Sequence, residues 1–203
     1  MTGAAPPRRM GRELARKTIH VSSAAIPLAV WLLPREVALP ALIAVAALAL
    51  AIDVTRLRWR PGRYWLLRLV RPMLRHHERR GLTGATWMVT AYALALLLFP
   101  KPVAVAAMLF NGLGDASAAL VGKRWGRHRT RWGKSWEGFA AELAVNAAVA
   151  LTIARLDPSL AVAAALFGAA VAAVLEFLDL PIDDNVRVTL GGAIAIQAAQ
   201  SLL

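Results

Sequence analysis

The stretch Asn111-Gly112-Leu113-Gly114-Asp115-Ala116-Ser117-Ala118-Ala119-Leu120-Val121-Gly122-Lys123 sets a carboxylate inside an apolar run, residues 102–121, that is long enough to span a bilayer. A charge at that depth costs at least about 2.5–3.5 kcal/mol by insertion scales, so Asp115 asks for a functional reason. Asn111, Asp115 and Gly122 fall at i, i+4 and i+11, on one helical face, among Gly, Ala and Ser. Such a face has room for another backbone or a flat ligand. Lys123, Lys134 and a second acid, Glu137, follow closely. A buried acid beside a basic, glycine-bearing loop is what a site for a metal-bound phosphate needs.

Composition points the same way. The 203 residues are 58% hydrophobic with a mean hydropathy of +0.53, the balance of a polytopic membrane protein rather than a soluble domain. There is no cysteine, which excludes disulfides, thiol catalysis and thiolate metal sites. The net charge is +12, but the basic residues lie between apolar runs. Lipid headgroups and an anionic substrate are therefore the expected partners, and nucleic acid is not. Arg8, Arg9, Arg12, Arg16 and Lys17 precede the first run and imitate a signal peptide. No small-residue cleavage site follows, so the segment reads as a retained first helix.

Seven apolar runs stand out: roughly 18–33, 37–53, 84–99, 102–121, 138–155, 160–178 and 186–203. Several are short for a span, so their ends must reach into the interface or the bilayer must thin. The connections on one side hold five Lys and Arg up to Lys17, nine from Arg56 to Arg80, six from Lys123 to Lys134, and Arg187. The other side holds Arg35, Lys101 and Arg155. The positive-inside rule then puts the amino terminus in the cytoplasm and the carboxyl terminus outside. The expected fold is all-α: one domain over 1–203, a polytopic membrane helix bundle of about seven transmembrane helices. One cytoplasmic interfacial helix joins them. Over residues 60–80, Arg68, Arg71, Arg75 and Arg79 share one face and Leu66, Leu69, Val70, Met73 and Leu74 another, with Trp59, Tyr64 and Trp65 as interface anchors. His76 and His77 read as interfacial. Asp53 reads as the end of the second helix.

Three further constellations carry chemistry. Glu13, Arg16, Lys17 and His20 stand at i, i+3, i+4 and i+7, either a Glu13–Lys17 ion pair or an Arg/Lys clamp for a phosphate chain. Residues 122–138 form a loop carrying Gly122, Lys123, Gly126, Lys134 and Gly138, with Ser135 placed to cap the next helix and Glu137 in its first turn. A loop opening on a helix amino terminus suits an anion. It is not a P-loop, because Lys123 is followed by Arg124. Finally, Glu176, Asp179, Asp183 and Asp184 crowd the last basic-side connection, next to Asn185. Mg²⁺ prefers carboxylate oxygens together with substrate phosphates, so Asp115, Glu137, Glu176, Asp183 and Asp184 form the pool of metal ligands. Asp183 or Asn185 alternatively caps the final helix. Glu142, five residues past Glu137 and off its face, is assigned at most a basic partner.

These motifs resemble the dolichol kinase, phytol kinase and CTP-dependent diacylglycerol kinase family. The likeness rests on Arg16-Lys17-x-x-His20, Gly114-Asp115-x-x-Ala118-x-x-x-Gly122-Lys123-x-x-Gly126, Lys134-Ser135-x-Glu137-Gly138, Glu176 and Asp184-Asn185, with His77 to Thr86 also similar. It implies an integral enzyme of the cell membrane, its site cytoplasmic, that phosphorylates a lipid alcohol from CTP with Mg²⁺ or another divalent cation. It also implies functional roles for Arg16, Lys17, Asp115 and Gly122. Asp115, Arg16, Lys17 and Lys134 are then the expected catalytic groups, with Asp115 the first candidate to receive the hydroxyl proton. Gly114, Gly122, Lys123, Gly126, Ser135, Gly138 and Asn185 would surround the nucleotide. Phosphatidate cytidylyltransferases share the Gly-Asp-x-x-Ala pattern, so a cytidylyltransferase acting on phosphatidate or a prenyl phosphate is the alternative. A transporter or scaffold is the third reading. Against it, the polar residues gather at one membrane face rather than the midplane. Small-residue faces such as Ala163 to Ala173 suit packing within the chain or between subunits, so a homo-oligomer stays open.

Overall fold

The computed structural model describes residues 24–58 and 81–203. Among these the regular elements are helices: α1 (Ala25–Leu32), α2 (Arg35–Arg58), α3 (Gly84–Leu98), α4 (Lys101–Leu109), α5 (Asp115–Trp125), α6 (Trp136–Leu156), α7 (Val162–Phe177) and α8 (Asp184–Gln200). A π-helical turn, Phe110–Gly114, joins α4 to α5, so Lys101–Trp125 forms one rod. Each apolar run of the sequence holds one of these helices or rods. Arg35–Arg58, Lys101–Trp125 and Trp136–Leu156 are long and apolar enough to cross a membrane, while Gly84–Leu98 and Val162–Phe177 are shorter apolar helices. This is the build of a helical membrane protein. The amphipathic segment 60–80, including His76 and His77, and the Glu13–Arg16–Lys17–His20 face lie outside the described residues.

The core forms around α4, which is buried from Pro102 to Leu109 and touches α1, α3, α6, α7 and α8. Its residues are mostly Ala and Val, small enough to let five neighbours approach. Tyr92, Leu96, Met108 and Phe110 fill the remaining volume. α7 packs against α6 and α8. A Cβ added to Gly168 would stand 3.1 Å from the Gly192 carbonyl oxygen, so these two backbones meet closely. Ala164, Ala165, Ala169, Ala172 and Ala173 are buried along that helix. The small-residue face of α7 is thus used within the chain. Outward, α2 exposes Ile43, Val45, Leu48, Leu50 and Ile52, and α7 exposes Phe167 and Val174. Large apolar side chains facing out are what a lipid environment accommodates.

Asp53 corrects one expectation. It does not end the second helix, which continues to Arg58, and it is buried, as is Arg56. Asp53 Oδ1 accepts from Arg56 Nε at 3.1 Å and from Arg56 Nη2 at 2.8 Å. Its Oδ2 accepts from the Thr83 backbone N–H at 2.7 Å and from Thr86 Oγ1 at 2.7 Å. Arg56 Nη2 also donates to the Gly81 carbonyl at 2.7 Å, and Thr83 caps α3. Partners 30 or so residues away therefore satisfy the charge and lock the start of α3 onto the end of α2. Asp53→Ala should cost about 3–5 kcal/mol, because it leaves a buried guanidinium without its carboxylate. Thermal unfolding in detergent measures this loss, and adding Arg56→Met should recover part of it.

Candidate functional site

A cavity of about 390 Å³ opens at one end of the bundle. α5 contributes Asp115, Ala118, Ala119, Gly122 and Lys123 to its wall, the α5–α6 loop Arg129, Gly133, Lys134 and Ser135, α6 Gly138 and Glu142, and α7 Glu176 and Phe177.

The backbone that aims Asp115 into this space is irregular. The π turn at Phe110–Gly114 inserts a residue just before it, a device that often re-aims side chains at functional sites. Asn111, in that turn, donates to Asn185 Oδ1 at 3.1 Å and approaches the Tyr92 hydroxyl at 3.4 Å, which itself donates to the Met108 carbonyl. Gly114 lies against α6, where an added Cβ would come within 3.1 Å of Asn146 Cγ. Further along the α5–α6 contact, a Cβ on Gly122 would stand 2.7 Å from Ser135 Oγ, and one on Gly138 would stand 2.7 Å from the Ala118 carbonyl oxygen. Gly126 ends α5, and its added Cβ would stand 2.8 Å from Ser135 Oγ. These glycines therefore permit two helices to touch, and the touching pair forms a wall of the cavity.

The loop over the cavity is a small hairpin. Arg129 and Ser135 form an antiparallel bridge, the turn is made at Gly133 with φ of 90°, and Thr130 N–H donates to the Lys134 carbonyl at 2.7 Å. Its side chains fasten it to helix ends. Arg129 Nη2 donates to the Gly122 carbonyl at 2.7 Å. Trp132 Nε1 donates to the Phe177 carbonyl at 3.0 Å, and Phe177 is ringed by Trp132, Trp136 and Phe139. Lys134 Nζ donates to the Glu176 carbonyl and pairs with Glu176 Oε1 at 2.7 Å. Ser135 caps α6, accepting from Gly138 N–H.

Of the residues singled out in the sequence, Asp115, Gly122, Lys123, Lys134, Ser135, Gly138 and Glu176 meet on this cavity. Gly114 and Gly126 support it from behind. Glu137 is turned away, accepting from His128 N–H at 3.1 Å and contacting His128 Nδ1 at 2.7 Å. Asp183 caps α8 by accepting from Asn185 N–H, Asp184 pairs with Arg187, and Asn185 is held by Asp183, Asn111 and the Gly84 carbonyl. These three build the start of α8. Arg16 and Lys17 lie outside the described residues.

The sequence pattern gives Glu142 no more than a basic partner and Asn146 no role. Glu142 is only 1% exposed and Asn146 0%. Glu142 Oε1, Glu176 Oε2 and both amide atoms of Asn146 are buried without a hydrogen-bond partner among the described residues. Buried polar atoms left so are uncommon and ask for an explanation. The signal was present: Glu142 and Asn146 stand at i and i+4 inside an apolar helix, as Asp115 does. Arg129 was missed because its role depends on the hairpin.

Among the described residues no three His, Asp or Glu side chains come close enough to hold a metal ion. Mg²⁺, however, is usually bound by one or two carboxylates plus phosphate oxygens. Asp115 and Glu176, the latter with a spare carboxylate oxygen, fit that mode and not an all-protein cage. Gly138→Ala tests the tight α5–α6 contact. The new methyl meets backbone, so it should cost about 1–3 kcal/mol, read by thermal unfolding in detergent.

No family model matches the chain, and no solved structure matches it. Curated proteins do. An uncharacterized protein of Rickettsia prowazekii is 30% identical over 129 residues, 62% of this chain and 63% of that protein. A phytol kinase of a Synechocystis species is 30% identical over 135 residues, 62% of this chain and 52% of the kinase. CTP-dependent diacylglycerol kinase 1 of Schizosaccharomyces pombe is 26% identical over 83 residues, 41% of this chain and 38% of the kinase. The match thus spans less than two thirds of each relative's length. Two of these three relatives are named lipid kinases, a phytol kinase and a diacylglycerol kinase, which supports a relationship to the family that the motifs of this chain resemble.

Proposed function

We propose that this chain is a lipid-alcohol kinase, acting at the cytoplasmic face of the cell membrane as a single integral domain. It would transfer the γ-phosphoryl group of CTP to a polyprenol, phytol-like or diacylglycerol hydroxyl. The observation that carries the reading is the meeting of Asp115, Lys123, Arg129, Lys134 and Glu176 on one cavity at the end of an apolar bundle. That combination suits a polyanion brought to a lipid. The basic residues gather in the connections on one side of the apolar runs of the sequence, which supports a cytoplasmic amino terminus and an external carboxyl terminus.

In the transfer, the alcohol oxygen bonds to the γ-phosphorus as the bond to the β,γ-bridging oxygen breaks. The nucleoside diphosphate leaves, and the hydroxyl proton passes to a carboxylate of the cavity. Positioning and charge stabilisation do most of the work in such reactions. Lys134, fixed by Glu176, would offset charge on the phosphates, joined by Lys123 and by Arg16 and Lys17 of the amino-terminal motif. Asp115 and Glu176 would hold Mg²⁺ together with the phosphates, where the ion would supply charge neutralisation.

Purified protein with Mg²⁺, a panel of lipid alcohols and lipid phosphates, and CTP labelled at either the α- or the γ-phosphate tests this directly. Label should reach lipid only from the γ position. Transfer from the α position instead would make the chain a cytidylyltransferase, and no transfer, with ATP and UTP also tried, would end the kinase reading. Asp115→Asn should lower turnover by about 10²–10³-fold or more while the melting temperature stays near wild type. Full activity in that variant would remove Asp115 from the mechanism.

A further inference from the structure

We infer that Glu142 and Asn146 form the binding site for the acceptor hydroxyl, beneath the phosphate-binding part of the cavity. The inference rests on the lipid-kinase reading for the identity of the ligand and on separate observations for its place.

Glu142 lines the cavity, is 1% exposed and has one carboxylate oxygen with no hydrogen-bond partner among the described residues. Asn146 follows one turn deeper, 0% exposed, its amide oxygen and nitrogen both without partners there. Gly114 of the π turn packs closely against the Asn146 side chain, which lies behind the residues that line the cavity. Glu142 sits six residues into α6, about 9 Å along the helix axis from its start at 1.5 Å per residue. The hairpin cations Arg129 and Lys134 lie at the helix start.

The chemistry of this floor selects its ligand. A phosphate offers only acceptors and would meet a carboxylate with nothing to donate. A hydroxyl offers one donor and accepts in return. Its hydrogen would go to Glu142 Oε1, which faces the cavity, and Asn146, one turn behind, would hold that carboxylate in place. Glu142 would then lose the penalty of burial without a partner.

The test compares phytol, farnesol and dioleoylglycerol with their deoxy counterparts, in which hydrogen replaces the hydroxyl. Binding to wild type, Glu142→Leu and Asn146→Leu is read in detergent by ligand-induced change in melting temperature and by competition with a fluorescent lipid. Wild type should prefer at least one alcohol to its deoxy analogue by 10-fold or more. Each variant should lose that preference, keep its affinity for CTP within about 2-fold and melt no lower than wild type, since a packed apolar replacement of an unpartnered buried polar group is neutral or stabilising. Phosphoryl transfer to the alcohol, assayed in parallel, should fall about 100-fold in kcat/KM. If the variants keep the alcohol preference, or if they lose CTP binding and stability together, the assignment is overturned. Absence of any preference in wild type overturns it as well. Should wild type discriminate and the variants not, yet no phosphoryl transfer occur, the hydroxyl site stands and the kinase reading fails.

Discussion

Helix ends leave carbonyl groups without partners in their own helix, and the long polar side chains of this protein answer them. Arg35 donates to the carbonyls of Leu96, Leu97 and Phe99 at the end of α3. Lys101 reaches the Leu33 carbonyl after α1, and Arg187 the Leu178 carbonyl after α7. At the cavity, Arg129, Trp132 and Lys134 do the same for α5 and α7. A positive side chain at a helix carboxyl end also opposes the helix dipole favourably. The hairpin is therefore ordered by the helices it closes, and the cavity wall is a by-product of capping. Lys134 joins the two roles, since the bond that caps α7 also places its charge beside Glu176.

This has a bearing on how basic residues are counted. Arg35 and Lys101, two of the three cations on the sparsely charged side, are engaged with backbone. On the richly charged side Arg129 and Lys134 are engaged as well, yet they still line the cavity. Net charge alone thus says little about substrate. What distinguishes the cavity is cations and carboxylates held together by short-range geometry.

Much of the helical architecture was legible because apolar runs in a membrane-type chain have few other ways to satisfy their backbone. α3 and α7 match their runs closely, and Ser135 caps α6 as its position before an apolar helix indicated. What escaped depended on partners distant in sequence. Asp53 reads as a helix end until Thr83 and Thr86 are brought to it. Glu137 belongs to the ligand pool by its spacing, while its contact with His128 is not visible until the loop folds back. The glycines of the α5–α6 segment read as a phosphate loop, and their spacing serves equally the contact between two helices. Glu142 escaped for a different reason. The rule that drew attention to Asp115, a charge inside an apolar run, applied to it unchanged, and only its position off the Glu137 face set it aside.

The placement of the carboxylates then orders the cavity by depth. Near the loop, Glu176 is paired with Lys134 and one of its oxygens is spoken for. Deeper, Glu142 offers an acceptor, backed by Asn146, with no cation between them in their own helix. A ligand with its negative charge uppermost and a neutral donor below would be complementary at both levels, whereas the reverse orientation would set anion against carboxylate in a medium of low dielectric. On the kinase reading, a nucleotide enters from water and a lipid from the bilayer, each to the level its charge allows. The reacting atoms then meet between the two levels, on the face that Asp115 supplies.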